Sequence, residues 1–254
     1  MFPATGFRMS VLYDQVIDGV HYRVTAAGAA RRLYTDGIFH TAYHPKKLFT
    51  GSVWDMLSVP ALFAEAPPQN ALMLGVGGGG AIHQCFKLFP LQQLIGIEID
   101  PVHLRLAEQY FELRYPELKL QRADALRWLK QRRKQRFDLI IDDVFIASEH
   151  PVRPLKVDAH WLDLLCQHLS PDGVLIQNHA SLADARQVLN EHHIALNRAF
   201  ASILIFVPEN AGNAVIAAFR KPTRARNRRA IEQRLRTQLG SSAIKRLRYH
   251  VRTV

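Results

Sequence analysis

Five of the seven residues from Leu74 to Gly80 are glycine, placed where an apolar run ends and a helical pattern begins. Without Cβ atoms such a backbone lets a ligand come close, and free N–H groups at a helix start point at it. Gly75, Gly77 and Gly80 satisfy the GxGxxG dinucleotide pattern, a weak signal by itself. Glu98 strengthens it, standing 23 residues after Gly75 at the end of the next strand, where a carboxylate accepts from both ribose hydroxyls. In Arg122-Ala123-Asp124-Ala125, Asp124 can accept from an adenine amino group, although it would equally cap the helix that starts at Ala125. The expected nucleoside-binding set is therefore Gly75, Gly77, Gly79, Glu98, Asp124 and Ala125. Asp142 and Asp143 end a further strand at the rim of the same site, one of them as a turn residue. Asp143 is the candidate general base, with His40 second. His40 fits an exposed strand position equally well. Asn178-His179 faces the same rim, and none of the 12 histidines shows metal-ligand spacing.

These groups need elements to hold them. The first fifty residues read as strands, with Leu33–Phe39 a hairpin closing on Asp36-Gly37. A helix spans roughly Ser52–Glu65, capped by Ser52, and Pro67-Pro68 marks a boundary. From Asn70 onward, apolar strands alternate with helical segments, which implies a mostly parallel sheet covered on both faces. Only a short turn separates the last two strands, so they pair antiparallel. The fold class is therefore α/β: a Rossmann-like, seven-stranded, mostly parallel sheet with a terminal antiparallel hairpin, the layout of a class I methyltransferase, preceded by a small β-region. The organisation is a β-hairpin region at 1–51, a cofactor-binding domain at 52–220 and a basic, helical tail at 221–254.

In order and spacing, Leu33–Gly37, Gly75–Gly80, Glu98-Ile99-Asp100-Pro101, Ala123-Asp124-Ala125 and Phe137–Asp143 resemble the spermidine synthase family of S-adenosylmethionine-dependent transferases. The resemblance runs from about Val11 to Arg220. It implies a cofactor across the strand ends, with Glu98 on the ribose, Asp124 at the adenine and Asp143 at the reacting centre. The chain also departs from that pattern. The family's Asp inside the glycine loop falls on Gly78, and its second acid after Asp143 falls on Ile146. The Gln after its Asp-Gly turn falls on His40, and its Tyr-x-Glu on Val53-Trp54-Asp55. A doubly cationic diamine needs several placed acceptors, and at least two acids are missing. Removing the loop Asp leaves a helix N-terminus free for the carboxylate of intact S-adenosylmethionine. Methyl transfer from intact S-adenosylmethionine is thus the favoured expectation, with the acceptor open and small molecules ahead of macromolecules. The first alternative is polyamine aminopropyl transfer from decarboxylated S-adenosylmethionine, with Asp55 and Asp142 replacing the missing acids. The second is a non-catalytic cofactor-binding or nucleic-acid-binding protein.

Composition narrows the classes. With 254 residues, 48% hydrophobic and 22% charged, the chain suits one large globular domain with a small appendage. No apolar run approaches the ~18 residues a membrane helix needs, and the first ten residues lack a secretory pattern. Cys85 and Cys166 read as reduced thiols, so a cytoplasmic location is expected. The net charge of +11 lies wholly in the last 35 residues, with twelve Lys or Arg against Glu232 alone. Ile231, Leu235 and Leu239 form one stripe of an amphipathic helix there. A docked terminal helix is the plainer reading. Binding of nucleic acid or another anionic partner is the sharper one. The N-terminal β-region is a candidate homodimer surface, as the family resemblance implies.

Overall fold

Period-two alternation and two Asp-Gly turns shape the N-terminus of the computed structural model, which describes residues 9–146 and 153–254. Four strands, β1 (Ser10–Ile17), β2 (Val20–Ala27), β3 (Ala30–Thr35) and β4 (Ile38–Tyr43), form an antiparallel sheet in sequence order. Asp36 and Gly37 both take positive φ, 47° and 79°, the geometry whose twist matches a two-residue hairpin. The buried face of this sheet, with Tyr22, Val24 and Leu33, packs on Val102, Leu106 and Phe111.

Residues 52–65 do not form one helix. A single turn, α1 (Asp55–Ser58), passes into a 3-10 segment at Val59–Phe63. Pro60 lacks the N–H that a longer α-helix would need there. Ser52 caps nothing, because its hydroxyl pairs with that of Thr50.

The remaining elements are β5 (Asn70–Leu74), α2 (Gly80–Leu88), β6 (Gln93–Glu98), α3 (Pro101–Tyr110), β7 (Leu118–Arg122), α4 (Ala125–Gln131) and β8 (Phe137–Asp142). After them come α5 (Ala159–Gln167), β9 (Leu169–His179), α6 (Leu182–Glu191), α7 (His193–Ala199), β10 (Ser202–Pro208) and β11 (Ala214–Phe219). The chain closes with α8 (Arg228–Leu239), α9 (Ser241–Ile244) and β12 (Tyr249–Thr253).

The sheet order is β12-β10-β11-β9-β8-β5-β6-β7. Strands β5 to β9 run parallel, and β10, β11 and β12 run antiparallel to their neighbours. The sheet therefore has eight strands, one more than the sequence pattern suggests. The eighth comes from the basic C-terminal segment, which is helical only in part. Ile231 and Leu235 of α8 are buried in the core, and β12 then hydrogen-bonds along β10. Tyr249 of β12 is fully buried, with the Arg228 guanidinium 4.5 Å from its ring centroid.

Two apolar layers sandwich the sheet. One joins Met56, Ile82, Cys85 and Leu235, and the other joins Trp128, Trp161, Leu165 and Leu189. Among the described residues, no helix is long and apolar enough to cross a membrane. From β5 the chain moves outward to β6 and β7, then returns to β8 on β5's other side. The carboxyl ends of β5 and β8 thus flank the switch point where such sheets hold ligands.

Candidate active site

The glycine loop joins β5 to α2. Gly75 has φ 82°, and a Cβ there would lie far inside van der Waals contact with the Asp143 carbonyl oxygen. That approach is fixed by the Asp143 N–H, which donates to the Leu74 carbonyl at 2.8 Å. The loop's N–H groups are all used inside the protein. Gly75 donates to the Ile97 carbonyl and Gly79 to that of Val76, both at 2.9 Å. Val76 and Gly77 donate to Glu98 Oε2, each at 3.0 Å, and Gly78 donates to Thr41 Oγ1 at 2.8 Å. Strand β4 also lies directly on the loop: a Cβ on Gly78 would sit 2.9 Å from Thr41 Cγ2, and one on Gly80 2.6 Å from the Ala42 carbonyl oxygen. Several of these glycines answer to protein packing rather than to an incoming ligand.

Glu98, at the end of β6, also accepts from the Asp100 N–H at 3.0 Å through Oε1. Burial works against its charge, but His103 and the backbone donors prevail and hold the carboxyl down to about 2. His103 Nδ1 lies 3.9 Å from Glu98 Oε2, and its Nε2 pairs with Thr35 Oγ1 at 2.7 Å. Burial opposes protonation of His103, yet Glu98 and Asp100 carry it above its ordinary value. Asp100 caps α3 and accepts from the Tyr22 hydroxyl at 2.8 Å. His40 stacks obliquely on His103 at 4.9 Å between ring centroids. Burial, then the charge on His103, pushes His40 down to about 4, and its buried Nε2 has no protein partner.

Asp142 and Asp143 differ completely. Asp142 is fully buried; its carboxylate receives Arg153 Nη2 at 2.8 Å on both oxygens, Trp161 Nε1 at 2.7 Å and Gln177 Nε2 at 2.9 Å. It is a structural anchor, fully buried and outside the cavity lining. Asp143 opens onto the cavity and accepts one side-chain bond, from Asn178 Nδ2 at 2.7 Å. Enclosure by protein raises it to about 7, against the lowering effect of Asn178 and Arg153, with Asp142 and Glu98 adding to the rise.

A cavity of about 240 Å³ brings Gly75, Gly77, Glu98, Asp143 and His40 together. Gly79, Asp124 and Ala125 do not line it. Gly79 precedes α2 against Leu113, and Asp124 caps α4 by accepting from the Arg127 N–H at 2.8 Å. Asp55 is also away from the cavity, its carboxylate buried against the Thr50 and Gly51 N–H groups and Gln84. Neither Asp55 nor Asp142 can therefore stand in for the missing acids. The run Ala147-Ser148-Glu149-His150-Pro151, expected to wall the acceptor pocket, lies outside the described residues. Sequence reasoning missed His103, Phe39, Phe145 and Asn213. His103 had a signal, since Asp100-Pro101 sets a helix start that turns position 103 back toward Glu98.

A model of the spermine/spermidine synthase domain matches residues 52–228. The polyamine aminopropyltransferase of Vibrio vulnificus is 28% identical over 182 residues, covering 70% of this chain and 58% of that protein. Spermidine synthase from Thermotoga maritima superimposes with a TM-score of 0.65 at 17% identity, over 87% of this chain and 78% of that one. Human methyltransferase-like protein 13, solved with SAH, gives 0.57 at 24% identity, over 72% and 87%. At these identities both structures show a shared methyltransferase-like fold. The chain spans from 23% to 58% of the length of several curated relatives it matches.

These matches overturn methyl transfer as the favoured expectation, since the family domain and the named relatives are those of aminopropyl transfer. The amides of residues 75–79, for their part, serve Glu98, Thr41 and neighbouring carbonyls. With more than half of its length matched to the domain, the chain belongs to the spermine/spermidine synthase family.

Proposed function

We propose that this protein transfers the aminopropyl group of decarboxylated S-adenosylmethionine to a small amine. The observation that carries this reading is the pair Glu98 and Asp143 on one cavity wall, in a chain of this family. Glu98 is ionised and keeps acceptor capacity on Oε1 for a ribose hydroxyl. An uncharged amine attacks the propyl carbon bound to sulfur. The C–N bond forms as the C–S bond breaks, its electron pair neutralises the sulfonium, and the new ammonium yields its proton to Asp143. A base near neutrality suits that last step. The enzyme's other contribution is alignment of donor and acceptor.

Mass spectrometry of reactions with decarboxylated S-adenosylmethionine and a panel of amines tests the reading. Methylthioadenosine and an N-aminopropylated amine should appear together, and the rates of both should fall by about 100-fold or more in Asp143→Asn. No thioether with any amine would end it. The exposed Val11, Leu12 and Val16 of β1 are where a second copy would pack, and sedimentation tests that homodimer.

A further inference from the structure

Strand β4 contributes to two cavities. Its His40 lines the catalytic one, while its Ala42 and Tyr43 line another, of about 180 Å³, that shares no residue with the first. Just after β4, His44-Pro45-Lys46-Lys47 makes a turn in which the Lys47 N–H donates to the His44 carbonyl at 3.2 Å. Lys46 and Lys47 thereby reach the second cavity, and Lys87 joins them from the last turn of α2. Arg246 approaches from beyond α9: its carbonyl lies against Gly51, and its charge bears on His44.

Among the described residues, no carboxylate lines this cavity, and Lys46, Lys47, Lys87 and Arg246 form no ion pair. Glu112 stays outside the lining and accepts from the Tyr43 hydroxyl at 2.7 Å. A cleft walled by one sign of charge concentrates ions of the other.

The floor is neutral and satisfied within the protein. His83 donates from Nε2 to the Phe111 carbonyl at 2.8 Å and accepts the Tyr115 hydroxyl at Nδ1, at 2.7 Å. Burial lowers its basicity. The Gln84 amide serves the Leu48 carbonyl and Asp55. Tyr43 stacks on His83 at 4.4 Å, and Pro45, Leu48 and Leu239 add apolar surface. Burial, then Lys47 and Arg246, favours the neutral ring of His44. Its Nδ1 accepts the Lys46 N–H at 3.0 Å, which leaves Nε2–H as a donor. A matching ligand is anionic at one end and apolar or planar at the other. A phosphomonoester has that form, with about 1.5 to 2 negative charges at neutral pH and strong acceptor oxygens.

We propose that this second cavity binds a small phosphomonoester, its phosphate held among Lys46, Lys47, Lys87 and Arg246 and its body set against Tyr43, Leu48 and Leu239.

Isothermal titration of the full chain with phenyl phosphate, and with inorganic phosphate in parallel, tests the site. Phenyl phosphate should bind at least about fivefold tighter, because part of its ring is buried. The double variant Lys46→Ala/Lys87→Ala should weaken it by about tenfold or more, with an unchanged Tm because both side chains are exposed. Arg229→Ala, also exposed but near the start of α8, should leave binding nearly unchanged. No heat at millimolar phenyl phosphate would overturn the site, and so would equal affinity for the two probes. A loss in Arg229→Ala as large as in the double variant would overturn it by showing diffuse attraction to the whole basic segment. Displacement of phenyl phosphate by decarboxylated S-adenosylmethionine would move it to the catalytic cavity. Displacement by a tighter-binding single-stranded RNA would reassign the second cavity to a polynucleotide.

Discussion

Thr41 fills the space that a side chain at position 78 would need. Its Cγ2 lies 2.9 Å from the ideal Cβ of Gly78, and its hydroxyl accepts the Gly78 N–H at 2.8 Å while donating to the His40 carbonyl at 2.6 Å. The missing loop acid and the neighbouring β4 residue are therefore coupled. One cannot be restored without changing the other.

Gly78→Asp alone should destabilise the fold by about 1–3 kcal/mol through overpacking against Thr41. In a Thr41→Gly background the same substitution should cost much less than in the wild type. Urea midpoints of the four proteins check this, and equal costs in both backgrounds would refute the coupling.

Asp143 should set the rising limb of kcat/KM against pH, with a midpoint near its raised value of about 7. Asp143→Asn should lower kcat by about 100-fold or more. Stability should move the other way. A carboxyl raised in the folded state from the usual 3.8 binds its proton more tightly folded than unfolded, so its ionisation weakens the fold as pH rises from about 4 through 7. At pH 8 the variant should therefore be more stable than the wild type, by on the order of 1–3 kcal/mol. Chemical denaturation at pH 5 and pH 8 separates the two effects.

Glu98 carries the opposite sign. Its folded value, about 2, lies below the ordinary 4.5, so its contribution is complete above 4.5 and is lost as pH falls toward 2. His103, raised in the fold, contributes below its ordinary 6.5 and loses that contribution as pH climbs through its folded value. Glu98→Gln should flatten the acid limb of the stability profile and weaken donor binding by about tenfold or more. Calorimetry across pH 3–6 reads the first, and isothermal titration with decarboxylated S-adenosylmethionine reads the second.

The basic C-terminus should behave as core. Leu235→Ala should cost about 2–5 kcal/mol, as for other fully buried leucines. Removal of Tyr249–Val254 should lower the Tm, because Tyr249 and the β10–β12 ladder go with it. An unchanged Tm in either variant would return this segment to the status of a loosely attached tail.

The sheet, its terminal hairpin and the N-terminal β-region were legible because each rests on a local pattern: apolar runs, periodicity, Asp-Gly turns. Glu98 and Asp143 were legible for a related reason, since strand ends place them. What the pattern hid was pairwise. Tyr249-His250-Val251-Arg252-Thr253 reads as weakly as any exposed segment, and only the open edge of β10 makes it a strand. The purpose of Gly78 and Gly80 was hidden because β4, far earlier in the chain, supplies the contact through Thr41 and Ala42. Asp142 and Asp143 look equivalent in sequence. Arg153, Trp161 and Gln177 separate them, and none of these is adjacent to the pair.

Strand β12 has a consequence for solubility. Without it, β10, whose sequence is Ser-Ile-Leu-Ile-Phe-Val-Pro, would be the last strand of the sheet, an open apolar ladder of the kind that recruits other chains into aggregates. β12 covers that ladder and turns outward an edge bearing His250 and Arg252, both exposed. Part of the surplus positive charge thus acts as a gatekeeper: two copies meeting edge to edge would bring their Arg252 guanidinium groups together before their backbones could pair.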